Sequence, residues 1–446
     1  MTRVVGPCLL AVVVSAPVQE WVARYNGVGN RADGGKALAV DADGNSYVTG
    51  FTWVGIDVSY DYATIKYSPT GDELWVTRYD GPDHGTDLAW AIALDAASNV
   101  YVAGESFGSN SDQDYATIKY DSYGNQLWVA RYDGPTHGYD TARAIALDDA
   151  GSVYVTGYSE RVGSGYDYAT VKYDNCGNEV WVARYNSGSP NAYDYAAKIA
   201  VDLDGNAYVT GHSSRGGFSD YATIKYDTNG NQLWVARYSG PSNQQNGATA
   251  VAADTKGNVY VTGYSIGIGT GYDYATIKYD PDGNELWVAR YDGPTHGFDY
   301  AYAMAIDGAG SVYVTGASSR TESSGFNDYT TVKYTSAGEQ VWIARHSGGP
   351  PWASNQSQAI ALDAAGNVYV TGFGSGFVPF SYDQDYITVK YDNQGNELWV
   401  MRYNFDYGLE DVASAIALDG AGNVIVTGQS HAVVTDFDFA TIKYSQ

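Results

Sequence analysis

Eight near-copies of one phrase run along the chain, and that repetition constrains its fold more than any other feature. DYATIKY and its variants begin at Asp61, Asp114, Asp167, Asp220, Asp273, Asp328, Asp385 and Asp438, at intervals of 53, 53, 53, 53, 55, 57 and 53 residues. A WVARY phrase starts at Trp21, Trp75, Trp128, Trp181, Trp234, Trp287, Trp342 and Trp399. An AIALD-like phrase ends at Asp41, Asp95, Asp148, Asp202, Asp254, Asp307, Asp363 and Asp419, and an NVYVTG-like phrase follows each time. All four phrases are short, rich in Val, Ile, Thr, Tyr and Trp, and bounded by Gly, Asn and Asp, which is the signature of strands. Four strands in about 50 residues is the size of a β-propeller blade. The expected fold is therefore all-β, an eight-bladed propeller with four antiparallel strands per blade.

The order of phrases predicts how the ring closes. With AIALD as inner strand a, NVYVTG as b, DYATIKY as c and WVARY as outer strand d, the chain opens on a lone d and ends on a lone c. Pairing Trp21–Tyr25 beside Asp438–Tyr444 gives a one-plus-three last blade and removes two exposed sheet edges. The joints agree. Turns such as DADGN (41–45), DSYGNQ (121–126) and DPDGNE (280–285) combine an Asp that bonds its own turn with a Gly free to take positive φ. Their D-x-D-G strings resemble calcium loops but lack the later acidic ligand, so a turn is the preferred reading and calcium the minor one. No cofactor is expected.

Every copy carries a Lys in strand c, an Arg in strand d, an Asp closing strand a and an Asp opening strand c. A mid-strand Lys between packed sheets calls for a partner. The expected partner is the strand-a Asp, as in Lys119 with Asp148 or Asp95. Setting these repeated groups aside leaves the whole net charge of −26 on the remaining surface. Such a surface repels nucleic acid and anionic membranes. A soluble monomer with no membrane insertion is expected.

Residues 1–19 read as a signal peptide, with Arg3, an apolar run to Val14 and small Ser15 and Ala16. The propeller is assigned to residues 20–446, and the expected location is secreted or at the cell surface. Cys176 alone remains after Cys8, so neither a disulfide nor a thiolate metal site is expected.

Strand alternation puts the uniform a–b and c–d turns on one face of the disc and the variable b–c and d–a loops on the other. Variable loops on a rigid scaffold are where binding resides. Two rings stand out on that face. Asp33, Asp87, Asp140, Asp194, Asn246, Asp299, Asn355 and Asp411 precede the strand-a alanine position by four residues. These six Asp are weak metal candidates, with an Asx turn as the preferred reading. One residue before strand a stand Lys36, Trp90, Arg143, Ala197, Thr249, Tyr302, Gln358 and Ser414, and Lys198 replaces the usual Ala one step on. These differ blade by blade, as a single ligand requires. Lys36, Trp90, Arg143, Lys198, Tyr302 and Gln358 are the candidate ligand-binding residues. No pair among the six histidines has the spacing of a local metal site, and no hydrolase or nucleotide motif occurs in a supporting context.

The string DYATIKYDxxGNxLWVARY joined to AIALDxxGNVYVTG resembles the SBBP family of bacterial β-propeller repeats. That resemblance implies a secreted or cell-surface bacterial or archaeal protein without established catalysis. DxxGNxLW, as at Asp280–Trp287, is also similar to the tryptophan-docking motif of eight-bladed quinoprotein dehydrogenases, although their adjacent cysteine pair is absent. The expected function is a non-catalytic scaffold binding protein or glycan through the variable face. The alternative is an enzyme at the channel mouth, either a quinone-dependent oxidoreductase or a carbohydrate-active lyase or hydrolase.

Overall fold

A computed structural model describes residues 16–446 apart from 56–58, 110–111, 163–164, 189–191, 322–325, 350–352, 376–382 and 407. Most of the signal-peptide assignment lies outside these residues. Thirty-two strands form eight separate four-stranded antiparallel sheets, with no helix among the described residues. Blade 1 runs Gly34–Val40, Ser46–Trp53, Tyr60–Tyr67 and Glu73–Tyr79. Blades 2 to 7 repeat the pattern over 88–132, 140–185, 194–238, 246–291, 299–346 and 355–403.

The eighth sheet combines Asp411–Leu418, Val424–Ala432 and Asp436–Ser445 with Val18–Tyr25 from the other end of the chain. Val18 lies opposite Ser445 and Tyr25 opposite Phe439. Val18 and Gln19, within the segment assigned as leader, pair in this sheet with Ser445 and Tyr444. Pairing begins directly after Pro17, which has no N–H to give to a ladder.

Burial follows position in the blade. Strands b and c are buried almost throughout, as in YDYATIKY of blade 1, because a sheet stands against each face. Strand a is half-buried and lines the axial channel, while strand d is half-exposed on the rim. Tyrosines supply the largest fully buried side chains. In seven joints such a tyrosine donates its hydroxyl to a carbonyl of the next blade, as Tyr62 to Ala116 O at 3.2 Å and Tyr386 to Ala440 O at 3.2 Å. At the joint from blade 8 to blade 1 the residue is Phe439, with no hydroxyl to give.

The charged template groups pair differently from expectation. Arg of strand d, not Lys, meets the Asp that opens strand c, in seven blades. Six of these pairs span 2.7 to 3.2 Å, and Arg402 with Asp385 is the seventh. Lys119 does not pair with Asp95 or Asp148. Its Nζ donates to Asn175 O at 3.3 Å and Oδ1 at 2.8 Å, across the face of Tyr101. The reason is reach: Lys extends past its own blade to the c–d turn of the next. There the preceding blade's indole Nε1 donates to the same carbonyl, as Lys66 and Trp75 both do to Ser122 O at 3.2 and 3.1 Å. A strand-a Asp joins only Lys172 (Asp148, 3.7 Å) and Lys443 (Asp419, 3.1 Å) among the described residues.

In the turns the leading Asp is engaged by the turn itself. Asp121 Oδ1 accepts from the backbone N–H groups of Tyr123 and Asn125, and Oδ2 from the Asn125 amide, all at 2.8–2.9 Å. Gly124 has φ +86°, and a Cβ there would lie 2.9 Å from the Trp75 ring. The tight turn and the docked indole both demand glycine.

Candidate functional site at the channel mouth

Each strand a contains a β-bulge, and the bulged residue is a member of the variable ring. Register shifts fall between Gly35 and Ala37, Ala89 and Ala91, and Ala142 and Ala144, with corresponding breaks in the other five blades. Lys36, Trp90, Arg143, Tyr302 and Gln358 are thus the extra residues of their strands. They lie inside strand a and not one residue before it, as the sequence suggested. A bulge re-aims its side chain without disturbing the rest of the ladder. That geometry frees this one position in an otherwise uniform blade to vary.

The candidates divide into two groups. Lys36, Trp90, Lys198, Tyr302 and Gln358 line the axial channel, a cavity of about 550 Å³. Lys36, Trp90, Arg143 and Lys198 also line an off-axis cavity of about 790 Å³, together with Tyr158, Tyr195 and His212. Tyr302 and Gln358 are absent from that second lining. Tyr302 instead stacks on Tyr300, and Gln358 reaches Gln356.

Two of the cations in the off-axis cavity lie over the Trp90 ring. Lys36 Nζ sits 5.7 Å and the Arg143 guanidinium 4.6 Å from its ring, and Arg143 also lies 5.6 Å from the Tyr158 ring. The other partners of these cations are neutral: Lys36 Nζ meets Gln429 Oε1 at 3.5 Å, and Arg143 Nη2 donates to Tyr158 OH at 3.2 Å. None of the ion pairs among the described residues involves Lys36, Arg143 or Lys198, whereas template arginines are paired in seven blades. Burial pushes Lys36 below the ordinary lysine range. Surrounding protein, and then the neighbouring Arg143, does the same to Lys198, although its side chain is exposed to the lumen. Burial likewise lowers His212.

The aspartate ring is a set of fasteners. All six Asp and both Asn are fully buried, and none lines either cavity. Asp33 accepts from Gly27 N at 2.5 Å and Trp53 N at 2.8 Å; Asp194 accepts from Ser187 N, Ser213 Oγ and Ser214 N at 2.8–2.9 Å. Asp411 accepts from Phe405 N at 3.0 Å. Burial pushes Asp87, Asp140 and Asp411 up to about 6, against the opposing pull of hydrogen bonds from serine and backbone. Asp87, Asp140 and Asp299 each stand near two other carboxylates, while Asp33, Asp194 and Asp411 fall in no such group among the described residues.

Sequence reasoning missed Tyr158, Tyr195 and His212. Tyr158 and His212 follow the glycine of the VTG phrase, a position that reads Phe51, Glu105, Tyr158, His212, Tyr264, Ala317, Phe373 and Gln429 around the ring. This second variable position was there to be read. His212 pairs directly opposite Tyr195.

Residues 180–218 and 233–269 match the family model of the SBBP β-propeller repeat. An uncharacterized WD repeat-containing protein of Acanthamoeba polyphaga mimivirus is 23% identical over 82% of this chain, and the chain spans 31% of that protein's length. Similar solved structures include the β-propeller domain of the Trilobed protease from Pyrococcus furiosus, with 10% identity, TM-score 0.45, 80% of this chain and 95% of that one. Another is an ulvan lyase of polysaccharide lyase family PL25, with 13% identity, TM-score 0.45, and coverage of 78% and 90%. Two stretches of the chain thus match the SBBP β-propeller repeat, and its strands form eight four-stranded sheets.

Proposed function

We propose that this propeller is a non-catalytic recognition module, outside the cell or at its surface, whose channel mouth takes an anionic sugar chain. One observation carries the reading: three cations without counter-carboxylates, Lys36, Arg143 and Lys198, converge around Trp90 in a protein of net charge −26. Like charges crowded into one cavity repel one another, and an anion that joins them relieves that repulsion. Arg offers a planar fork suited to carboxylate or sulfate. Trp90, Tyr158 and Tyr195 add flat apolar faces with polar tips, which suits a ring that is apolar on its face and polar at its edge. The surrounding negative field would repel a polyanion approaching anywhere but here.

The test is an array of neutral and acidic oligosaccharides, followed by titration of any hit against Trp90→Ala and Lys198→Ala. Binding of acidic chains only, weakened at least tenfold by either variant, supports the reading. Neutral-only binding, or binding indifferent to both variants, refutes it. A second reading has one observation in its favour: burial loosens the protons of Lys198 and His212 beside the same cavity, as proton-transfer catalysis requires. Shortening of an acidic oligosaccharide during the titration would make the site that of a carbohydrate-active lyase or hydrolase.

A further inference from the structure

Blade 1 breaks the template at one charged pair. In seven blades the strand-d Arg closes on the Asp that opens strand c. In six of them its guanidinium also docks on a serine at the end of strand b, as Arg131 does on Ser106. Blade 1 has Thr52 in the serine's place, and Arg78 lies exposed on the rim with both Nε and Nη2 on Tyr25 OH, at 3.1 and 2.6 Å. Asp61 is left behind, only 7% exposed; its Oδ1 is buried without a hydrogen-bond partner, as the same atom is in Asp220, Asp273 and Asp438, but no arginine holds its other oxygen as it does theirs.

Two more carboxylates converge on it. One oxygen from each of Asp61, Asp80 and Asp87 lies within 4.8 Å of the others. Asp87 is fixed by Gly81 N at 2.6 Å and Phe107 N at 3.2 Å. Asp80 is oriented by His84 Nδ1 at 2.6 Å, as an outer-shell group orients a metal ligand. Similar groups occur at Asp114, Asp133 and Asp140 and at Asp273, Asp292 and Asp299, but there Arg131 and Arg290 hold the strand-c carboxylate at 2.9 and 2.7 Å. Those two carry their cation as a side chain.

We propose that Asp61, Asp80 and Asp87 bind one divalent cation of the calcium type at the joint between blades 1 and 2, in the place that arginine fills elsewhere. Three carboxylate oxygens with no nitrogen or sulfur donor select a hard, oxygen-seeking ion, with water completing the shell. The ion would tie strand c of blade 1 to the loop that enters blade 2.

The test is titration of metal-stripped full-length protein with Ca²⁺ by calorimetry and with Tb³⁺ by luminescence. One saturable equivalent is expected. Asp61→Asn should abolish it and Asp80→Asn, at a more exposed ligand, should weaken it at least tenfold. Asp114→Asn and Asp273→Asn should leave it unchanged. Asp61→Asn should melt no lower than the metal-stripped parent, because it removes a buried charge, and its melting point should no longer rise with Ca²⁺. No saturable binding, retention in Asp61→Asn, or three equivalent sites would overturn the proposal.

Discussion

The shared carbonyl between blades gives a quantitative test of what holds the ring together. Lys66 and Trp75 donate to one acceptor, Ser122 O, at 3.2 and 3.1 Å, and Lys66 Nζ lies 4.9 Å from the Tyr47 ring. Lys66 is 8% exposed. Replacing it with Met removes a charge-assisted hydrogen bond of about 1.5–3 kcal/mol and a cation–π contact of about 0.5–1 kcal/mol. The thioether repacks and the cost of burying an ammonium disappears, so the net loss should be about 2 kcal/mol. Trp75→Phe removes a neutral hydrogen bond of about 1 kcal/mol plus part of the packing on Gly124. Each single variant leaves the carbonyl with one donor, and only the double variant leaves it with none. The double variant should therefore lose about 1 kcal/mol more than the sum of the singles. Urea unfolding of the four proteins measures this cycle. Additivity within about 0.5 kcal/mol, or a Lys66→Met variant as stable as the parent, would refute the shared-acceptor account.

Three further outcomes are expected. Phe439→Tyr should raise stability by about 0.5–1.5 kcal/mol in urea unfolding, because it restores across the last joint the hydroxyl-to-carbonyl bond found in seven others; a destabilised variant would contradict this. Asp140 and Asp411 are raised to about 6 from 3.8, so the folded state binds more protons than the unfolded state between those values. Their burial therefore destabilises above pH 6, and the penalty fades as pH falls toward 3.8. The turn carboxylates such as Asp121 and Asp280, held low by Asn125 and Asn284, lose their contribution only at lower pH. The melting point should thus be higher at pH 5.5 than at pH 7.5, and Asp140→Asn should shrink that difference; a steady fall on acidification would contradict it. Gly124→Ala should destabilise by at least about 1 kcal/mol, since it forces φ +86° on an L-residue and a Cβ into the Trp75 ring; a variant matching the parent in urea would show the turn to be less constrained.

Much of the fold was legible because a repeat multiplies every weak strand signal by eight. Alternation, turn glycines and the spacing of DYATIKY all point to the same blade. What stayed hidden were choices between chemically equal partners. Lys and Arg both sit in mid-strand with Asp nearby, and the sequence does not say which reaches the carboxylate. The answer depends on side-chain reach: Arg131 finds Asp114 within its own blade, while Lys119 spans to Asn175 of the next. The variable ring was readable, but not its cause, because a bulge is an extra residue in one strand and the phrase ALAV gives no mark of it. Tyr158 and His212 hid in plain view after the VTG glycine, at a position where hydrophobic Phe51 and Phe373 look like core. Asp61 was invisible for the opposite reason. It fits the template perfectly, and only the turned-away Arg78 shows that it is alone.

The most direct test of the account is a crystal structure of the protein grown with an acidic oligosaccharide such as an oligogalacturonate. The account predicts density for a carboxylate between Arg143 and Lys198, with a sugar ring against the faces of Trp90 and Tyr195. Sugar bound on the uniform turn face, or a channel mouth left empty while sugar occupies another surface, would contradict it.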